Sequence, residues 1–264
     1  MLFRSNRPDF EAKWDDIGVF IKYGMLSEDK FYDKAKNFFL FKSTEQKYFT
    51  TDEYAQVIKL NQENKEKKIV YLYTNNPTEQ HSFIDAAKNR GYDVLMMDGA
   101  IDSHFVNFLE QKIENAQFAR VDADTIDKLV EKGEEKKSNL SDDQKKQLQP
   151  MIENVVAKEQ FTVVFENLNE KDAPMMITRP EFMRRMKDMA AMGGGYDFMG
   201  NMPEHYNLVV NTNHPIMARI LVETDASKQT DLVKQTTDLA LLSQQLLKGE
   251  DLTKFIQRSL EMIK

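Results

Sequence analysis

The sequence predicts an α/β and α+β protein: a small three-layer αβα domain with a parallel sheet, then a mixed α+β domain ending in a helical hairpin. Three observations lead there. Between Ile69 and Val121, short apolar runs alternate with amphipathic stretches over short loops, an order that gives a parallel sheet covered by helices. From Glu131 to Asn139 no residue is apolar, which marks the best domain boundary. Near the end, two leucine-rich amphipathic stretches flank Gly249. The 264 residues suffice for two domains, each with its own core. Residues 1–132 are assigned to the first domain, 133–140 to a charged hinge and 141–264 to the second.

The elements follow in order. Residues 9–60 read as helical. Phe10, Trp14, Ile17, Phe20 and Ile21 recur at helical spacing up to Tyr23-Gly24. Ser27 reads as the next N-cap, with Glu28 and Asp29 in the first turn and Phe31, Ala35, Phe38 and Phe39 along the helix. Thr51-Asp52-Glu53 starts another, carrying Tyr54, Val57 and Ile58. Ile69-Val70-Tyr71-Leu72-Tyr73 is a buried strand. Asn76-Pro77-Thr78-Glu79 opens a helix that ends near Gly91. Residues 92–97 form a second strand, Ile101 to Leu109 a helix face, and residues 118–121 a third strand.

In the second domain, Ser141-Asp142-Asp143-Gln144 is a capping box for a helix buried through Leu148, Ile152, Val155 and Val156. Residues 161–165 and 175–177 are strands joined by the polar turn 167–172. Thr178-Arg179-Pro180-Glu181 opens a helix that ends at Gly193-Gly194-Gly195. A strand over 206–210 precedes helices over 214–223, 227–248 and 252–264.

Composition narrows the function. The net charge of -7 disfavours nucleic acid or anionic lipid as the main partner, since both require neutralising phosphate. With no cysteine, thiolate chemistry and disulfides are excluded. No apolar run approaches the roughly 18 residues of a membrane span. The three glycines at 193–195 follow a helix rather than precede one, and no Gly-Lys-Ser/Thr occurs, so they read as a helix stop rather than a phosphate cradle. His81, His104, His205 and His214 have no metal-ligand spacing, and His214 reads as a strand-to-helix cap. Asp15-Asp16 and Asp142-Asp143 fall in first turns. No Gly-x-Ser-x-Gly elbow occurs. The expectation from these residues is no metal ligand and no catalytic residue.

Two features carry more. Phe182, Met183, Met186, Met189 and Met192 lie along one amphipathic helix, interleaved with Arg184, Arg185, Lys187 and Asp188 and running into a glycine-rich loop. A methionine face of this kind adapts to varied apolar partners; the other reading is an ordinary core stripe. At the tail, Leu232, Leu239, Leu242 and Leu246 form one stripe, and Leu252, Phe255, Ile256, Leu260 and Ile263 another. Either the preceding domain covers both stripes or a second copy does.

Several segments resemble heat-shock protein 90 chaperones in their bacterial form: Trp14-Asp15-Asp16-Ile17 with Tyr23-Gly24-Met25, Ile69 to Tyr73, Gly91 to Asp98, Asp238-Leu239-Ala240-Leu241-Leu242, and Phe255-Ile256. The resemblance runs in order along nearly the whole chain. It implies a fragment holding the end of the middle domain and the C-terminal dimerisation domain, without the nucleotide-binding domain and hence no enzyme by itself. It further implies that ATP and Mg belong to the full-length protein, that the tail helices pair with those of another subunit, and that Met183, Met186 and Met189, with Phe182 and Met192 beside them, contact clients. It also implies a second client patch on the helix beginning Ile101-Asp102, with Phe105; relatives can have tryptophan where this chain has His104. The resulting expectation is a cytoplasmic homodimer that holds non-native proteins and needs no nucleic acid, membrane or cofactor. The alternative is a nucleotide-binding αβα enzyme domain with a helical appendage.

Overall fold

A computed structural model of the chain describes residues 5–133, 136–183, 185 and 204–263. The chain divides into two compact units: Met1–Val121 with Thr125–Gly133, and Asp122–Asp124 with Glu134–Lys264. Both combine helices with sheet, parallel in the first and mixed in the second.

The first unit begins with α1 (Arg7–Ala12), capped by the Asn6 side chain, and α2 (Trp14–Ser27). α3 (Asp29–Ala35) follows. Ser27 is not its cap. The Ser27 hydroxyl donates back to the Tyr23 carbonyl at 2.8 Å within α2, and Glu28 takes the cap position. α3 also stops at Ala35, so Phe38 and Phe39 lie beyond it, and Phe39 enters the core. A hairpin unforeseen in the sequence, β1 (Phe41–Lys42) with β2 (Tyr48–Phe49), interrupts the expected helical stretch. α4 (Thr51–Gln62) starts on a capping box between Thr50 and Glu53, whose reciprocal bonds satisfy two orphan amides.

The sheet of this unit places β3 (Ile69–Thr74) between β4 (Leu95–Met96) and β5 (Ala116–Arg120), all parallel. α5 (His81–Lys88), α6 (Asp102–Lys112) and the short α7 (Ile126–Leu129) complete it. Asn76 caps only a turn, its side chain accepting from the Glu79 amide, and α5 begins four residues later than Pro77 suggests. β4 is shorter than expected because neighbouring backbone groups are taken: the Asp93 amide donates to the Gln62 side chain at 2.7 Å, and the Val94 carbonyl accepts from Thr44. The core is aromatic, with Tyr71 stacked on Phe118 at 4.7 Å and Phe39, Phe41, Tyr54 and Phe105 around them.

In the second unit α8 (Asp142–Glu153) has the expected Ser141–Gln144 capping box. The sheet order is β6 (Phe161–Glu166), β8 (Tyr206–Asn211), β7 (Met175–Thr178). The turn 167–172 therefore does not make a hairpin. β8 inserts between the two strands, parallel to β6 and antiparallel to β7. Its Leu208, Val209 and Val210 are all buried, which suits a central strand covered on both faces. α9 (Pro215–Val222) is capped by His214, whose Nδ1 accepts from the Ile216 amide at 3.2 Å; burial lowers the His214 pKa. α10 (Ala226–Ser243) and α11 (Gly249–Ile263) finish the chain. Part of the charged stretch belongs firmly to this unit. Asn213 accepts from the Asn139 amide at 2.7 Å and donates to the Lys137 carbonyl, while Asn167 donates to the Lys136 carbonyl.

Candidate functional site

α10 and α11 are held together by polar side chains on facing turns. Gln235 donates to the Ser259 hydroxyl at 2.8 Å, Arg258 donates through Nε to the Gln235 amide oxygen at 2.9 Å, and Arg258 also pairs with Asp238. These bonds fix the rotation of α11. Phe255, one turn before Ser259, is thereby buried within its own chain. Leu232 and Leu246 pack on the core of the second unit, and Leu252 is half-buried. The other five tail positions face outward: Leu239, Leu242, Ile256, Leu260 and Ile263 are all exposed. Met262, which the sequence reading passed over, is exposed beside Ile263. The nine apolar residues thus divide into four turned inward or half-covered and five that nothing in the chain covers among the described residues. Phe255, expected to face a second copy, is 8% exposed in the single chain.

The start of the methionine helix is described through residues 181–183 and 185, which are helical. Arg179 leads into it. Its amide donates to the Asp122 carbonyl at 2.9 Å and its guanidinium lies over the Tyr206 ring at 5.4 Å. The Tyr206 hydroxyl, hydrogen-bonded to Glu204, is pushed up to about 12 by burial first and by that bond second. Glu181 pairs with Arg185 one turn on, at 2.6 Å. Phe182 is 71% exposed and Met183 half-buried. Met186, Met189 and Met192 lie outside the described residues.

Phe105, expected at a client surface, lies in the core of the first unit. It is 0% exposed, packed against Phe39 at 5.1 Å and Phe108 at 6.1 Å between ring centroids. A residue so placed contacts a partner only if the core opens.

The first unit also holds a cleft of about 290 Å3 beside the end of β4, lined in part by Trp14, Val19, Lys22, Lys42, Met96 and Asp102. Both lysines in it are paired. Lys22 meets Asp102 at 2.6 Å and Lys42 meets Asp15 at 2.7 Å. Among the described residues no group of three His, Asp or Glu is placed to hold a metal, and no helix is long and apolar enough to cross a membrane.

The family model described as Hsp90 protein matches residues 2–264. The chain belongs to the HSP90 family. It is 36% identical over 329 aligned residues to "Chaperone protein htpG" of Bacteroides fragilis (strain YCH46), covering 99% of this chain and 48% of that relative. "Chaperone protein HtpG" of Porphyromonas gingivalis (strain W83) is 39% identical over 244 residues, covering 91% of this chain and 36% of the relative. That of Bdellovibrio bacteriovorus is 24% identical over 257 residues. The chain therefore spans about half the length, or less, of these HSP90 relatives. The resemblance read from Trp14 to Ile256 is borne out at the level of the family. The expectation that the chain is no enzyme is overturned by the same finding: the HSP90 family model takes in residues 2–264, so nothing sets this stretch of chain outside that family.

Proposed function

We propose that this chain is a client-holding and dimerising part of an HtpG-type chaperone. In this reading the first unit is the end of the middle domain and the second is the C-terminal domain. The tail helices pair with those of a second copy. The segment that begins at Glu181 offers Phe182 and Met183, with Met186, Met189 and Met192 after them in sequence, to non-native proteins in the cytoplasm. The full-length protein couples these surfaces to ATP and Mg as a clamp.

The observation that carries the reading is the outward row Leu239, Leu242, Ile256, Leu260 and Ile263 on a hairpin already locked by its own polar bonds. A hairpin that needed those side chains for its own packing would have turned them inward. Large apolar side chains left exposed on a finished element mark an interaction surface. Methionine and phenylalanine on a short amphipathic helix suit partners of varied shape.

The client half of the proposal is tested by suppression of aggregation of a thermally unfolding reporter enzyme. The Phe182→Ser/Met183→Ser variant is expected to suppress it several-fold less than the parent chain at equal concentration, with unchanged far-UV circular dichroism. Equal suppression by both removes this helix from the account.

A further inference from the structure

Three of the four edges of the two three-stranded sheets are occupied. The edge of β4 is met by the Ser43–Thr44 segment, with the Thr44 amide on the Val94 carbonyl at 2.8 Å. On β5, the Phe118 amide donates to the Glu110 carboxylate at 2.9 Å. α10 packs along β7, where the Thr237 hydroxyl reaches the Met175 sulfur. The fourth edge, β6, is different.

The register of β6 with β8 fixes which backbone groups point where. The Tyr206 amide donates to the Gln160 carbonyl and the Thr212 amide to the Glu166 carbonyl. In a parallel ladder the amide and carbonyl of one residue point to the same side, and successive residues alternate. Thr162, Val164 and Glu166 therefore face β8. Phe161, Val163 and Phe165 direct their backbone groups outward. The Phe161 amide is used by the Ala157 carbonyl at 3.0 Å. The Phe161 carbonyl and both backbone groups of Val163 and Phe165 have no hydrogen-bond partner among the described residues.

Natural edge strands are normally blunted by lysine, proline, a bulge or a covering element. Phe161-Thr162-Val163-Val164-Phe165-Glu166 has no lysine, arginine, proline or glycine, pairs with β8 over all six residues without a bulge, and carries no buried residue before Glu166. It is an unbroken, mostly apolar template for one more strand, with Glu166 its one charged residue.

We propose that the outer edge of β6 binds an extended segment of a non-native polypeptide by strand addition. This deepens the client-holding reading and rests on it. Main-chain bonds at Phe161, Val163 and Phe165 take any sequence in extended form, and the half-buried phenylalanine and valine side chains favour alternating apolar residues in the occupant. The site is separate from the Phe182 helix: it reads backbone, whereas that helix reads apolar bulk.

The test uses a permanently unfolded probe, reduced and carboxymethylated lactalbumin, with site-resolved amide hydrogen exchange on the whole chain. Saturating probe is expected to slow exchange of the Val163 and Phe165 amides at least tenfold and to leave Thr162 and Val164, already bonded to β8, unchanged. Val163→Pro removes one outward amide but no bond to β8, and is expected to weaken probe binding at least fivefold; Val163→Thr keeps the amide and is expected to bind as the parent does. Protection of β8 amides reports whether the proline variant is folded; should it not be, the exchange pattern of the parent chain decides alone. Bound probe with unchanged exchange at Val163 and Phe165 overturns the edge site alone and leaves the client-holding reading intact. No probe binding overturns both. Concentration-dependent protection of those amides without probe means that β6 pairs with a second copy, which also overturns the proposal.

Discussion

The pair Lys22–Asp102 ties α2 to the first turn of α6, and its removal has a calculable cost. Asp102 is 2% exposed and Lys22 15%. One Asp102 oxygen meets the Lys22 amine at 2.6 Å and the other accepts from the Gly99 amide at 3.0 Å. Asp102→Ala leaves a largely buried ammonium without its counter-ion and an amide without its acceptor. Breaking a buried pair in this one-sided way costs about 3–5 kcal/mol. The lower end, about 3 kcal/mol, applies because Lys22 retains some access to water. The readout is selective. Trp14 is the single tryptophan of the chain and lies buried in the first unit, so its fluorescence follows that unit alone during urea unfolding. Replacing both partners, Lys22→Met with Asp102→Leu, removes the buried charges together and is expected to recover at least half of the loss. A single variant within about 0.5 kcal/mol of the parent, or a double variant as unstable as the sum of its parts, refutes this account of the pair.

Two further predictions follow from the described geometry. Ile256 and Leu260 are 49% and 58% exposed, so pairing with a second copy covers roughly half of each, worth about 1 kcal/mol per side chain. Ile256→Ser/Leu260→Ser, counted over two chains, is expected to weaken dimerisation by about 4 kcal/mol, roughly a thousandfold in Kd by sedimentation, without loss of helix. The Arg7 guanidinium, bonded to the Glu53 carboxylate, holds Glu53 at about 2, below its ordinary value of 4.5. Its contribution is present above about pH 4.5 and lost as pH falls toward 2. Because Glu53 is partly exposed, that contribution is at most about 1 kcal/mol, and Glu53→Gln is expected to flatten the acid limb of the stability profile.

Much of the fold could be read where local chemistry and hydrophobic period agree. The Ser141–Gln144 box, the apolar run at β3 and the His214 cap all appear where the residues place them. Failures came where a distant group decides. β4 is cut short by the Gln62 side chain and by Thr44, neither near it in sequence. β6 and β7 are separated by a strand that arrives some thirty residues later. The same holds at the candidate site. A stripe of leucines shows that a helix is two-sided, but not which side meets its own domain. In the tail that choice is made by Gln235, Asp238, Arg258 and Ser259, whose bonds turn Phe255 inward and Leu260 outward. The burial of Phe105 was not legible for a related reason: the aromatic cluster around it is assembled from segments far apart in the chain.

On the proposed reading, a second copy of the chain covers the outward row of the tail hairpin. Sedimentation equilibrium of the unmodified chain at micromolar concentration tests it most directly. A mass of twice the 30.8 kDa chain is the predicted result, and a single-chain mass at that concentration contradicts it.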